Sequence, residues 1–572
     1  MLGFAVLISK NKEISENSFT WKSTFDFQVE HVLRKKDFSN VCIEQNTAKR
    51  FLNEKLWVDT DDYFVVTEGV ITNLKILYKK YLVENYENLI AKICTRTDFF
   101  MEFIGNFAGY IFLKKENKHI LFNNHSASKK VFYFSNENYC VFSTDLFTLS
   151  KKLNDLKIAK SLNIEAAYLL LTSGFMHENM TLINEVKQLR AGEYLCIDSN
   201  KDIKTDFYFH LNDIVETQDK KADIIEKLDE KFRNAVNLEF NQDIENHFTS
   251  LSTLSGGLDS RMTTLIAHKN QFTDVQCICF TEKNYADEII AKKIAKSYNL
   301  SLQTYHLSAN GLTAIEDVVK INDGLCLYSG AGHAFEALRN YKLQNIGFLH
   351  TGLIGDGVFG SYIFSEKEKN IPLSVGLYSM GLFEKAKPII EKYISNYKND
   401  EIYLMYNRAF LGINNGFLFF DLAGESASPF LVPDFMHYAF SIPREMRYKK
   451  RIYIDWVREK HPDIAGFTWE NIGGKPTNNK LLKQYYHYKR AAIKRIPLIN
   501  SMWKKSMNPE QLWYNQTPEV KKYLDNYFGE NIFRAEKYIE LKTDLITLYK
   551  NGNIIEKTQV LTLLAALKLL FE

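Results

Sequence analysis

Thr253-Leu254-Ser255-Gly256-Gly257-Leu258-Asp259-Ser260-Arg261 joins two stretches of different period. Before it, His247 to Leu254 alternates and reads as a strand; after it, Met262 to His268 reads as a helix. Two glycines at a strand-to-helix turn let backbone N–H groups converge on an anion, and the helix dipole adds to the pull. Ser255 and Ser260 add hydroxyl donors. Asp259 has the wrong sign to hold phosphate directly and the right one to hold the magnesium that accompanies it. The loop reads as a site for magnesium pyrophosphate, the alternative being a Ser/Gly turn that caps an ordinary helix. It is neither G-x-x-x-x-G-K-[ST] nor G-x-G-x-x-G, because no Lys follows the glycines and their spacing differs.

Outward from this loop, strands and helices alternate: strand 275–280, helix 285–298, strand 302–307, then strand 347–352. That order predicts a parallel sheet with helices on both faces, turning mostly helical beyond about residue 380. Residues 1–210 read differently, as strands and hairpins with a few helices. Tyr63–Thr67, Tyr110–Leu113, His119–Asn123, Val131–Phe134 and Cys140–Ser143 are the strands, and Gly192–Ile197 closes the set. Asp198–Asp206 is polar and reads as the start of a linker, followed by a helix over Lys220–Leu238. A chain of 572 residues exceeds one core, so two or three domains are expected, and the change of pattern divides it into 1–210 and 220–572.

Net charge is +3, from 72 basic and 69 acidic residues, which argues against a nucleic-acid partner. Seven cysteines without a C-x-x-C pair predict reduced thiols and a cytoplasmic protein, with Cys277 and Cys279 in the core. The N-terminus lacks the pattern of a signal peptide. No apolar run approaches the ~20 residues that span a bilayer, and Val560–Phe571 reads as a packing helix rather than an anchor. No membrane partner is expected.

Ser255 to Ser260 resembles the S-G-G-x-D-S pyrophosphate loop of N-type ATP pyrophosphatases, and the wider chain resembles the asparagine synthetase family. Phe280 and Tyr285-Ala286-Asp287-Glu288 resemble the family's adenine-binding strand and the segment after it. Gly352, Gly355, Asp356, Phe359, Gly360 and Tyr362 resemble G-E-G-x-D-E-x-F-G-G-Y, and Pro429-Phe430-Leu431, with Pro443 and Lys450, resembles the P-F-L-D region. In the first half, Gly69, Ile71 and Asn73 echo N-G-E-I-Y-N, and Gly105, Phe107 and Ala108 echo G-x-F-A, both of the glutamine amidotransferase domain. The resemblance implies an α+β, Ntn-hydrolase-like pair of stacked sheets, then an α/β, doubly wound parallel sheet of the adenine nucleotide α-hydrolase type.

It also implies ATP and Mg2+. Ser255, Gly256, Gly257, Leu258, Asp259, Ser260, Phe280 and Gly355 would bind nucleotide, Asp259 and Asp356 metal, and Lys475 would be the catalytic lysine, with a solvated surface lysine as the alternative reading. Departures then matter. Leu2 stands where the glutaminase has its nucleophilic cysteine, and Glu68 where it has an oxyanion-hole asparagine. Leu353, Gly357 and Val432 stand where the synthetase has acids, and Ala427 where it has arginine. The expected reaction is amide formation through an acyl-adenylate, releasing AMP and pyrophosphate without hydrolysing glutamine. The substrates would be a small-molecule or peptide carboxylate and an amine. β-Lactam synthetases and lasso-peptide cyclases share this layout. The rival readings are an ammonia-dependent asparagine synthetase and a non-catalytic nucleotide-binding scaffold, and a homodimer is left open.

Overall fold

The computed structural model describes residues 2–11, 18–21, 29–94, 96, 98–198, 202–367, 371–423, 425–477 and 506–572. The first half supplies twelve described strands: β1 (Gly3–Ser9), β2 (His31–Asp37), β3 (Val41–Ala48), β4 (Trp57–Asp59), β5 (Tyr63–Ile71), β6 (Gly105–Leu113), β7 (Lys118–Asn123), β8 (Phe132–Ser135), β9 (Tyr139–Ser143), β10 (Lys187–Gln188), β11 (Glu193–Ile197) and β12 (Ile203–Phe207). They form two antiparallel sheets, β10-β8-β9-β1-β3-β2 and β12-β11-β7-β6-β5-β4. Side chains alternate across each strand. Phe4, Val6 and Ile8 of β1 therefore meet Phe64 and Val66 of β5 and Tyr110 and Phe112 of β6 between the sheets. Val65, Ile111 and Phe122 face the other way, under the helices Leu74–Tyr81 and Tyr86–Ile93. Ala5, Leu7 and Val141 lie on the outer face of the first sheet, under the helices Leu146–Asp155 and Ile164–Ser173.

The second half holds one parallel sheet of β13 (Thr249–Thr253), β14 (Val275–Thr281), β15 (Ser301–His306), β16 (Ile346–His350) and β17 (Glu425–Ala427), in the order β15-β14-β13-β16-β17. The chain builds outward from β13 to β15, then returns to the other side of β13. Such a reversal opens a crevice at the carboxyl ends of the two central strands, and the loops after β13 and β16 are those that carry Asp259 and Asp356.

The mixed α/β class agrees with the sequence reading, and Cys277 and Cys279 are buried. Some elements differ. Asp198–Asp206 does not remain a linker: Ile203–Phe207 forms β12, a mostly exposed edge strand paired to β11. Strands β1 to β4 went unread, although β1 is buried along its whole length. The helix Ile554–Phe571 is a packing helix, with Val560–Leu567 buried against both halves. Among the described residues, no helix is long and apolar enough to cross a membrane.

The halves are not separate bodies. The largest hydrophobic cluster contains Leu149 and Leu170 together with Leu265, Phe335 and Leu564. Beside it lies a buried ionic cluster. Lys55 pairs with Glu68 at 3.3 Å and Glu425 at 2.9 Å; Lys129 pairs with Glu425 and Asp421, each at 2.9 Å. Burial works against both ammonium groups, but the carboxylates outweigh it and raise their pKa values. Removing one member leaves an uncompensated buried charge, which costs about 3–5 kcal/mol. Lys55→Met should therefore lower the unfolding free energy obtained from chemical denaturation by an amount in that range. Exposed Lys115→Met, which breaks only a surface pair with Asp62, should barely move it.

Candidate functional site

β13 ends at Thr253 and the next helix starts at Leu258, so Leu254 to Gly257 form the turn. Leu258 points its side chain into the core. The loop N–H groups are engaged within the protein. Those of Ser255 and Gly257 donate to the Ser260 and Ser255 hydroxyls at 3.2 and 3.1 Å. That of Gly256 donates to the Asp287 carboxylate at 2.7 Å. Burial pushes the Asp287 carboxyl up to about 6, against that N–H bond. The sequence reading has these N–H groups facing pyrophosphate. Here an acidic side chain already holds one of them, so an anion at Gly256 would have to displace Asp287. Arg261, buried below the loop, donates to the carbonyls of Gly256 at 3.1 Å and Thr468 at 2.6 Å.

The loop after β16 presses onto this turn. A Cβ at Gly352 would lie 2.3 Å from the Asp259 carbonyl carbon and the Ser260 nitrogen, so only glycine fits there. A Cβ on Gly355 would lie 3.0 Å from the Asp259 carboxyl carbon. This close approach brings Asp356 to Asp259. Burial first, then the Asp356 charge, push the Asp259 carboxyl up to about 7, against the pull of Lys450 and a 2.8 Å bond from the Tyr453 hydroxyl. Asp356 accepts from Ser361 at 2.9 Å and faces Lys450 Nζ at 3.6 Å.

Lys450 was not among the expected site residues, yet it is the cation beside the aspartate pair. It lies over the Trp469 ring at 5.6 Å. Lys449 and Lys450 both adopt left-handed backbone, φ 55° and 60°. Such strain is held only where the surroundings over-determine it, and here it turns Lys450 toward Asp356. Lys475 is exposed, one residue beyond Gly474, and makes no ion pair with a described residue. Its segment still lies close by, since the Glu470 N–H donates to the Gly256 carbonyl at 3.1 Å.

Beyond the loop opens a chamber of about 570 Å3. Ser255, Ser260, Phe280 and Leu353 line its nucleotide end; Phe175, Tyr378, Arg408 and Glu510 line the rest. Of the departures from the family pattern, only Leu353 faces this space. Gly357 and Val432 do not line it; Val432 and Ala427 are buried elsewhere, beside a separate small cavity. A third cavity, about 40 Å3, lies at the head of β1 and is lined by Leu2, Glu68, Lys129 and Asp421, with no cysteine on its described walls. Tyr453, Arg408 and Glu510 went unread and Lys450 was read only as part of the P-F-L-D region; the four come from three segments of the chain, around 408, 450–453 and 510.

Residues 227–397 match the family model of asparagine synthase, which assigns that stretch to the asparagine synthetase family and supports an ATP-dependent ligase in general. No curated protein matches the chain. Two solved structures have a similar fold assignment at low likeness. One is the glutamine phosphoribosylpyrophosphate amidotransferase from B. subtilis complexed with ADP and GMP, 8% identical with a TM-score of 0.22. The other is an allosteric regulatory enzyme of purine biosynthesis, 7% identical with a TM-score of 0.22. Each comparison covers 53% of this chain and 59% of the other, so the chain spans under two thirds of their length; at that score the likeness carries no argument.

The raised Asp259 pKa has a measurable sign. Above about pH 7, and without magnesium, the folded state holds a carboxylate that the unfolded state holds more easily. This burden is complete above the folded pKa and gone below the unfolded one, near 3.8. In magnesium-free buffer Asp259→Asn should raise the Tm at pH 8, with the gain shrinking below pH 7 and vanishing near pH 4.

Proposed function

We propose that this protein forms an amide bond by activating a carboxylate with ATP, releasing AMP and pyrophosphate, and that it does not draw ammonia from glutamine. The observation that carries this reading is the contact between two loops: the Ser255–Ser260 turn and the Gly352–Asp356 loop bring Asp259 and Asp356 together beside a partly open, largely apolar chamber. A turn for phosphates, two carboxylates and an adjoining apolar space suit a reaction at the α-phosphorus.

Two hard oxygen ligands fit Mg2+, which is held by one or two carboxylates and completes its shell with phosphate and water. Asp259 and Asp356 would hold it, and it would supply charge neutralisation on the departing pyrophosphate. Lys450 adds a fixed cation beside Asp356, suited to charge that develops on the phosphates. Phe280 and Leu254 offer apolar contact to the adenine. The enclosing walls keep water from the activated carboxyl, so that the amine rather than hydroxide captures it.

The absence of glutaminase chemistry rests on the small cavity at β1. Glu68 there is ion-paired to Lys55, and its carboxylate would repel a developing oxyanion. The ammonia-dependent asparagine synthetase reading is weakened by Leu353, which puts a hydrocarbon where an α-ammonium group would need an acid.

The nucleotide products test the central claim. With a turned-over substrate, chromatography should find AMP and pyrophosphate; ADP as main product would refute α-phosphorus attack. Asp356→Asn should lower turnover on the order of 10²-fold or more while leaving the thermal melt intact. Purified protein should release no glutamate from glutamine above a blank, with or without ATP, and Leu2→Cys alone should not change that.

A further inference from the structure

The chamber has one acidic group away from the metal-binding pair. Glu510 begins the helix Glu510–Gln516 and lines the same space as Ser255 and Ser260. Its carboxylate accepts from the Ser329 hydroxyl at 3.1 Å and from the Asn508 amide at 2.8 Å. Both donors are neutral, and among the described residues no cation pairs with it. Around it stand Leu327, Ala331, Met507 and Ile555. Of the titratable groups on the elements packed against it, burial holds His333 down to about 4, the buried Tyr328 hydroxyl donates to the Leu312 carbonyl at 2.7 Å, and the Lys557 ammonium is turned away to the Tyr549 carbonyl. An enclosed carboxylate with only neutral partners is costly unless a counter-charge arrives. The other ionic group of the chamber, Arg408, is spent on the Gly376 carbonyl at 2.8 Å and on the Tyr378 ring at 4.9 Å.

We infer that Glu510 is the docking point for the amine substrate, which enters as an ammonium ion on an apolar carrier, and that Glu510 takes the proton freeing the nucleophile. This rests on the amide-forming reading above. Burial pushes the Glu510 carboxyl up to about 7, against the two hydrogen bonds, which suits a group that binds a cation as carboxylate and then keeps its proton. The ammonium gives one proton to Glu510. The freed nitrogen lone pair forms the C–N bond at the acyl carbon. The acyl C–O bond breaks and its electron pair leaves with AMP, and the second nitrogen proton passes to water. Phe175, Leu327, Ile413 and Phe420 would hold the carrier.

Binding can be measured on the full chain without the true substrate. The probes are phenethylammonium, its neutral isostere phenethyl alcohol and the anion 3-phenylpropionate, titrated by calorimetry. Wild type should prefer the ammonium at least tenfold over either. Glu510→Gln should abolish that preference, Glu510→Asp should keep most of it, and the surface variant Lys115→Met should leave it unchanged. The Glu510 variants should melt no lower than wild type, Glu510→Gln gaining stability at pH 8 as a buried charge is removed, and their Mg-ATP binding should match wild type, which separates a lost amine site from a lost fold. No preference in wild type, a preference surviving Glu510→Gln, or one lost in Lys115→Met would each overturn the assignment. Because no turnover is read, a failure here leaves the nucleotide-product test of the reaction standing, and the reverse also holds.

Discussion

Glu425 is held between two lysines, and the seam of the molecule is organised around it. Lys55 reaches it from beside β4, and Lys129 from the turn before β8. Its strand, β17, is the edge of the parallel sheet and pairs with β16 through His350 and Ala427. Two residues further on, the Thr351 N–H donates to the Ala427 carbonyl and the Ser428 hydroxyl donates to the Leu353 carbonyl. The position of the loop that carries Asp356 thus depends on an ion cluster whose cations come from the first half of the chain. A buried salt bridge adds little net stability over a hydrophobic substitute, but it is intolerant of misplacement. That intolerance sets the register between the two halves.

The candidate site combines unlike environments within a short span. Two carboxylates face one another where a metal with phosphates would neutralise them, Lys450 sits beside one of them, and the space beyond is hydrocarbon-rich. Charges keep their strength in such surroundings because little water screens them. The replacement of an acid by Leu353 removes a polar handle at the near wall, and the remaining acid, Glu510, lies on a different element. On the proposed reading, the charge of the acceptor region is moved rather than simply lost.

What could be read without coordinates was local. The turn at Ser255–Ser260 shows itself because glycine spacing, hydroxyls and a change of hydrophobic period coincide within nine residues. Asp356 was legible through the glycines around it, and β14 through its alternating cysteines. Much of the rest was not. β1 is buried on both faces, so it shows no alternation; β12 is polar because it is an exposed edge. β17 has three residues, too few for any period. Lys450 was read only as part of the P-F-L-D region, and the strained backbone that aims it at Asp356 leaves no trace in residue type. Glu510 lies about 250 residues from the loop it faces, and nothing in its own neighbourhood marks it.

The shared core has a consequence for how the molecule is made. The Ser150 hydroxyl and the Lys160 ammonium both donate to the carbonyl of Leu570, the first across 420 residues of chain. The helix Ile554–Phe571 is buried against segments synthesised long before it. A growing chain can build the antiparallel sheets early, but the apolar sides of the helices Leu146–Asp155 and Ile164–Ser173 stay bare until that helix emerges. Vectorial synthesis at ≈ 5–20 residues per second leaves this surface uncovered for tens of seconds. During that interval the nascent protein exposes apolar surface of the kind that chaperones cover, and the last helix completes the packing of both halves.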